Sequence, residues 1–184
     1  VNFVPSELVG AWLVEPERHA DERGFFARTW CVREFEAQGL NTDLVQCNIS
    51  FNEHAATLRG MHWQSEPFAE IKLVRCTTGA IFDVIADVRP DSKTFGQWQS
   101  FELSATNRKM LYIPAGFAHG FFTTQPHTEV AYQMSDFFHP EASCGIRWDD
   151  PELGIHWPSA PAVVSDRDQA FPGFADVFGK SVSI

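Results

Sequence analysis

Tyrosine is almost missing from this chain: 2 Tyr stand beside 17 Phe and 6 Trp in 184 residues. Phenylalanine packs without needing a hydrogen-bond partner, so its abundance reads as core and interface. A tyrosine kept in such company has more chance of being there for its hydroxyl, which draws attention to Tyr112 and Tyr132. Basic residues are also in deficit, with 14 Lys and Arg against 24 Asp and Glu and a formal charge of -10. That leaves no basic stripe to neutralise a phosphate backbone, which argues against nucleic acid as a partner. A local anion site is still open, because Arg23, Arg28, Arg33, Arg59 and Arg75 gather in the N-terminal half. A few of them converging would hold a pyrophosphate. The four cysteines, Cys31, Cys47, Cys76 and Cys144, follow neither a CxxC nor a zinc spacing. Reduced, partly buried thiols in a cytoplasmic protein are expected. No apolar run approaches a bilayer span and no signal-like segment opens the chain, so the expectation is a soluble protein with no membrane partner.

Helical periodicity is scarce too. Arg33–Gln38 is the best short helix, with Gly39 as its stop. What fills the chain is short β-rich runs: 44–50, 58–64, 71–76, 80–88, 96–103, 109–113, 120–123, 129–135 and 145–148. Gly79, Arg89-Pro90-Asp91, Pro114, Pro126, Pro140 and Asp149-Asp150-Pro151 break them. Many short strands with almost no helix predict an all-β sandwich or barrel of jelly-roll type, with short peripheral helices. Nothing marks a linker, so one domain is expected over 1–184. Its first 20 residues carry an apolar segment, Gly10–Val14, that reads as an edge strand or as one exchanged with a partner. From about residue 158 the tail is irregular, with Asp166-Arg167-Asp168-Gln169 a single helical turn.

Two strand positions hint at a functional interior. In Ile81–Val88 both faces are largely apolar, and period-2 geometry puts Asp83 on the face of Ile81 and Ile85. A carboxylate there either meets a partner in a pocket or is costly to bury. Lys72 falls likewise on the face of Val74. The competing reading for both is ordinary charge on the outside of an open sheet. Among the histidines, His19, His54, His127 and His139 lie in turn-like sequence and His156 in a packed or surface position. His62 and His119 differ: each sits in or at the mouth of a strand beside glycines (Gly60, Gly116, Gly120) that permit close approach of backbone or ligand.

Pro114-Ala115-Gly116-Phe117-Ala118-His119 has the form P-x-G-x-x-H, which resembles the second motif of cupin barrels. The first cupin motif supplies H-x-H and a Glu to a metal; here the matching segment is His62-Trp63-Gln64. His62, His119, Gln64 and one of Glu66 or Glu70 make a thin metal set, so a cupin that has lost its metal is expected. Further stretches sharpen the resemblance: Asp21–Phe26, Gln46-x-Asn48-x-Ser50, Leu58–His62, Lys72–Arg75, Phe82-Asp83-Val84, Thr94-Phe95-Gly96-x-Trp98, Ile113–Phe121, Gly145-Ile146-x-Trp148 and Ser165-x-x-Asp168. Taken in order, they make the chain similar to the dTDP-4-dehydrorhamnose 3,5-epimerase family of nucleotide-sugar epimerases.

That resemblance implies a role for each matching position. His62 would be the base that removes the proton alpha to a C4 ketone, with Asp168 holding its tautomer. Tyr132 would return a proton on the opposite side of the ring, and Lys72 would stabilise the enolate oxygen. Arg23 and Arg59 would grip the pyrophosphate, and Gln46 and Asn48 would help to hold the substrate. Asp83 and His119 would line the pocket. Phe25 would shape the base subsite, contributed either by its own chain or by the partner in a homodimer, and Phe138 belongs to the same substrate pocket. The chemistry agrees with that casting: a carbonyl acidifies the neighbouring C–H, so a base, an opposed acid and an oxyanion donor suffice and no cofactor is required. For Tyr132 the plainer alternative is core, since Val130, Tyr132 and Met134 share a face.

Departures from the family pattern bear on specificity. Phe137-Phe138 replaces a pair that usually ends in Tyr, Gln133 stands where Lys is frequent, and Trp63 follows the histidine in place of Phe or Tyr. Cys47 and Ile49 replace polar residues. These keep open a monofunctional 3- or 5-epimerase, or a ketoisomerase, of a nucleotide-linked deoxysugar. From other classes, a metal-dependent cupin oxygenase and a non-catalytic sugar-nucleotide-binding protein remain as rivals.

Overall fold

Residues 1–179 are described by the computed structural model; positions 180–184 of the expected irregular tail lie outside the described residues. In chain order the strands are β1 (Asn2–Pro5), β2 (Trp12–Glu15), β3 (Arg18–Asp21), β4 (Gly24–Ala27), β5 (Gln46–Asn52), β6 (Thr57–Gln64) and β7 (Lys72–Thr78). They continue with β8 (Ala80–Asp87), β9 (Trp98–Ser104), β10 (Met110–Ile113), β11 (Phe117–Thr123), β12 (Thr128–Met134), β13 (Ser143–Gly145) and β14 (Val163–Val164). The helices are short: α1 (Val32–Glu36), α2 (Asp166–Gln169) and α3 (Phe174–Phe178).

Period-2 alternation explains how these strands assemble. One sheet runs β1-β2-β10-β7-β12-β5 and the other β13-β6-β11-β8-β9, while β3 and β4 form a separate ribbon. Alternate residues of each strand feed different apolar clusters. Val74, Cys76, Ile81, Ile85, Phe121 and Val130 meet between the two sheets. Their neighbours turn outward: Leu73, Met110 and Tyr112 pack under Phe35 of α1, and Met61, Val84 and Ala86 pack under Phe174 of α3. Both faces of β8 are therefore covered, as its apolar sequence required. The result is a cupin-type jelly-roll barrel packed at one end and open at the other.

Several expected boundaries shift. The strand expected over 145–148 is instead β13, paired with β6 through Gly145 opposite His62. Beyond Gly145 the chain turns to the tail: the Phe171 ring packs on Gly145 so closely that a Cβ would lie 2.4 Å from it, and the Arg147 N–H donates to the Pro172 carbonyl. The N-terminal apolar segment is not an edge strand. β2 lies between β1 and β10, and β1 forms the edge. α1 covers Val32–Glu36, and the chain takes φ +70 at Gly39.

One crossing positions the site. Gly60 adopts φ +140, and a Cβ there would lie 2.5 Å from Gly120 Cα. This contact lets β6 and β11 approach at a register shift and sets His62 directly across from His119.

Candidate active site

The open end of the barrel holds a cavity of about 750 Å³ whose walls come from both sheets. His62 enters from β6 and His119 from β11 of one sheet; Lys72 on β7 and Tyr132 on β12 face them from the other. Asp168 arrives from the tail. β14 runs parallel to β6 with Val164 opposite Leu58, and α2 then turns back beneath the histidine. Ser165 caps α2 by accepting the Asp168 N–H at 3.1 Å, which fixes where the carboxylate points.

The Asp168 carboxylate is buried and makes two bonds. Oδ1 lies 2.7 Å from His62 Nε2, and Oδ2 accepts the Gly60 N–H at 3.2 Å. Burial alone would raise its pKa. The hydrogen bonds and charge of His62 together with the Gly60 and Ser165 groups outweigh that, and the carboxyl is held below its ordinary value. An ionised carboxylate can only accept, so the shared hydrogen sits on Nε2, and in the neutral form of the ring the lone pair is on Nδ1. The imidazole is about a third exposed to the cavity, and the Phe171 edge braces it at 5.6 Å between centroids.

On the facing wall, burial pushes the Tyr132 phenol up, and the Arg59 charge opposes that rise. Tyr132 therefore stays protonated at neutral pH, beside a cation that would ease formation of a phenolate. Arg59 is held by Asn52, whose Oδ1 accepts its Nε–H at 2.8 Å while the Asn52 amide donates to the Ser50 and Thr128 carbonyls. Lys72 Nζ lies 3.1 Å from Glu70 Oε1 and 3.4 Å from the His62 carbonyl oxygen.

Other expected site residues divide between the cavity and its surroundings. Asn48 and Phe138 line the cavity. Asp83 does not: it is fully buried behind His119, with Oδ1 2.8 Å from His119 Nε2, so it orients that ring rather than forming wall. Gln46 shares the face of Asn48 on β5 but is not part of the cavity wall: its Oε1 accepts the Phe138 N–H at 3.2 Å, which places it as an anchor of the Phe138 loop. Arg23 and Phe25 ride on the β3–β4 ribbon outside this chain's cavity. Arg23 is bound to Asp21 in the ribbon turn, and the Phe25 ring lies under Arg18 and Arg108.

Sequence reasoning missed some participants and the role of another. Gln64 sits in the first cupin-like motif, yet it donates to the Phe68 and Phe137 carbonyls and accepts the His139 N–H at 2.6 Å, tying down the loop that carries Phe138. Arg167 and Ser143, bonded to each other at 2.7 Å, close one side of the cavity. The cupin-like motif marks Gln64 only as a candidate metal ligand and not as the anchor of this loop, whereas period-2 spacing from Lys72 does place Glu70 on the cavity face. Nor do the cupin-like residues assemble a donor set for a metal. His62 and His119 each engage a carboxylate through Nε2, Glu70 engages Lys72, and no three His, Cys, Asp or Glu side chains converge for a metal among the described residues.

Comparison with known proteins agrees with this geometry. The family model of dTDP-4-dehydrorhamnose 3,5-epimerase matches residues 5–176. The dTDP-4-dehydrorhamnose 3,5-epimerase of Sinorhizobium fredii is 42% identical over 166 residues, covering 90% of this chain and 85% of the relative. The crystal structure of the Bacillus anthracis enzyme of that name, with TDP and PPi bound, superposes with a TM-score of 0.90 at 40% identity, covering 94% of this chain and 99% of the other. ChmJ of Streptomyces bikiniensis, a 3'-monoepimerase in complex with dTDP-quinovose, superposes at 0.87 with 32% identity, covering 95% and 90%.

Proposed function

Because this chain belongs to the dTDP-4-dehydrorhamnose 3,5-epimerase family, we propose that it epimerises C3 and C5 of dTDP-4-keto-6-deoxyglucose, giving dTDP-4-dehydrorhamnose. The observation that carries this reading is the placement of base and acid on opposite sheets, with a cationic donor beside them. His62 Nδ1 takes the proton alpha to the C4 ketone, and Asp168 stabilises the imidazolium that forms. The ketone becomes an enolate, whose oxygen receives an N–H from Lys72. Tyr132 then delivers its phenolic proton to the opposite face of the same carbon, and the configuration inverts. Solvent restores both groups for the second carbon. Arg59 and His119 hold the nucleotide sugar from within the chain.

The ribbon takes Arg23 and Phe25 away from their own cavity, and Phe26 beside them is 71% exposed. Ile49 and Phe51 along β5 are exposed apolar residues on the edge strand of their sheet. A homodimer accounts for both, with each ribbon delivering Arg23 and Phe25 to the partner's cavity. β1 pairs with β2 of its own chain, and in this reading the ribbon is the element exchanged. The four cysteines are free, which suits a reducing compartment and a cytoplasmic location. No helix among the described residues is long and apolar enough to cross a membrane.

A monofunctional epimerase is the second reading, favoured by Phe138. That residue lines the cavity without the hydroxyl usual at its position. Proton NMR of dTDP-4-keto-6-deoxyglucose with the protein in D2O separates the two. Deuterium at C3 and C5 with inversion at both supports the first, exchange at one carbon supports the second, and exchange at neither overturns both.

A further inference from the structure

Glu70 is a buried carboxylate that the proposed chemistry does not yet use. Its side chain is 2% exposed and that of Lys72 12%. The two stand at i and i+2 in an extended segment, so both point to the cavity side while Ile71 between them turns to the outer cluster. The segment is pinned: the Ile71 N–H donates to Ser135 Oγ at 2.9 Å, and the Ser135 N–H donates to the Ile71 carbonyl. Glu70 Oε1 pairs with Lys72, whereas Oε2 is buried with no hydrogen-bond partner among the described residues. Such a pair is a poor way to gain stability, because apolar residues of similar volume fill the same space without desolvating charge. Its use lies elsewhere.

An ammonium has three N–H bonds and no acceptor. In Lys72 one is directed at Glu70 Oε1 and another at the carbonyl of His62, the residue that carries the base. The third is left for the cavity. Resting on the epimerase reading above, we propose that Glu70 is the positioning residue for Lys72: it fixes the ammonium so that its remaining N–H meets the oxyanion formed at C4. Without Glu70 the four-carbon stem of Lys72 is free to sample other rotamers, and the donor must be organised during the reaction instead of beforehand.

Steady-state rates on dTDP-4-keto-6-deoxyglucose, with melting curves to confirm folding, test this in wild type, E70M, E70Q, K72A and E70M/K72A. E70M matches the volume of Glu70 without its acceptor; E70A replaces it should E70M fail to fold. The expected result is a kcat about 10- to 100-fold lower in E70M with KM within about threefold, in line with misplacement of a reacting group. E70Q, which keeps an acceptor at the same place, recovers most of the loss. The double variant is no slower than K72A, because Glu70 acts only through Lys72. Wild-type kcat in E70M, or losses that multiply in the double variant, would overturn the assignment. An inactive wild type would instead count against the epimerase reading.

Discussion

At the scale of single residues, His62 is governed by what Asp168 can and cannot do. The carboxylate only accepts, so it fixes the hydrogen on Nε2, and in the proposed reaction it stabilises the imidazolium. Asp168→Asn keeps the shape but replaces an acceptor with a group that can donate, which admits the wrong tautomer. Its kcat is expected to fall about 100-fold or more, with KM within a few-fold, in initial-rate measurements near neutral pH. A loss under threefold would contradict the dyad. The sequence marks His62 and His119 through their glycine neighbours, but Asp168 only through family resemblance. It lies 106 positions from His62, and no local pattern spans that gap. Period 2 put Asp83 on an inward face correctly, yet could not say that His119 would stand between it and the cavity.

Elements carry the next layer. The close crossing of β6 and β11 depends on two glycines without side chains to separate the strands. Gly60→Ala would put a methyl 2.5 Å from Gly120 Cα and 3.1 Å from the His119 carbonyl oxygen, at a φ of +140 that side chains rarely adopt. Backbone must move to relieve it, at a cost of about 2–3 kcal/mol. Both histidines follow within two residues, so activity is expected to fall together with the melting temperature in thermal denaturation. Unchanged stability would show that the strands do not need this contact. Most strands were legible from alternation and breakers, while their order was not. β10 enters between β2 and β7, and β14 is two residues long, too short to leave a pattern though it delivers Asp168. Asp21–Phe26 stood out in the sequence only as a family-like stretch, and no local pattern showed that the β3–β4 ribbon would carry Arg23 and Phe25 outside the cavity of their own chain.

For the molecule as a whole, charge buried at strand ends sets its tolerance of acid. Asp87 is fully buried at the end of β8. Burial would raise its pKa, but hydrogen bonds from Arg89, Ser92 and Thr94 hold it below the ordinary 3.8. A folded value below the unfolded one means that this stabilisation is complete above the unfolded value and is lost as pH falls through the folded one. Asp87→Asn is expected to cost about 2–3 kcal/mol at pH 7, and the gap to wild type to persist to about pH 4 and close below it, as read by denaturant melts across that range. A gap that closes above pH 5 would point to another group. The same two-sheet architecture makes the central claim, that base and acid stand on opposite walls, open to one direct measurement: NMR of dTDP-4-keto-6-deoxyglucose with Tyr132→Phe in D2O. His62 can still remove a proton and return deuterium to the same face, so exchange with retention is expected while inversion drops by about 100-fold. Inversion at the wild-type rate would remove Tyr132 from the opposite wall and contradict the account.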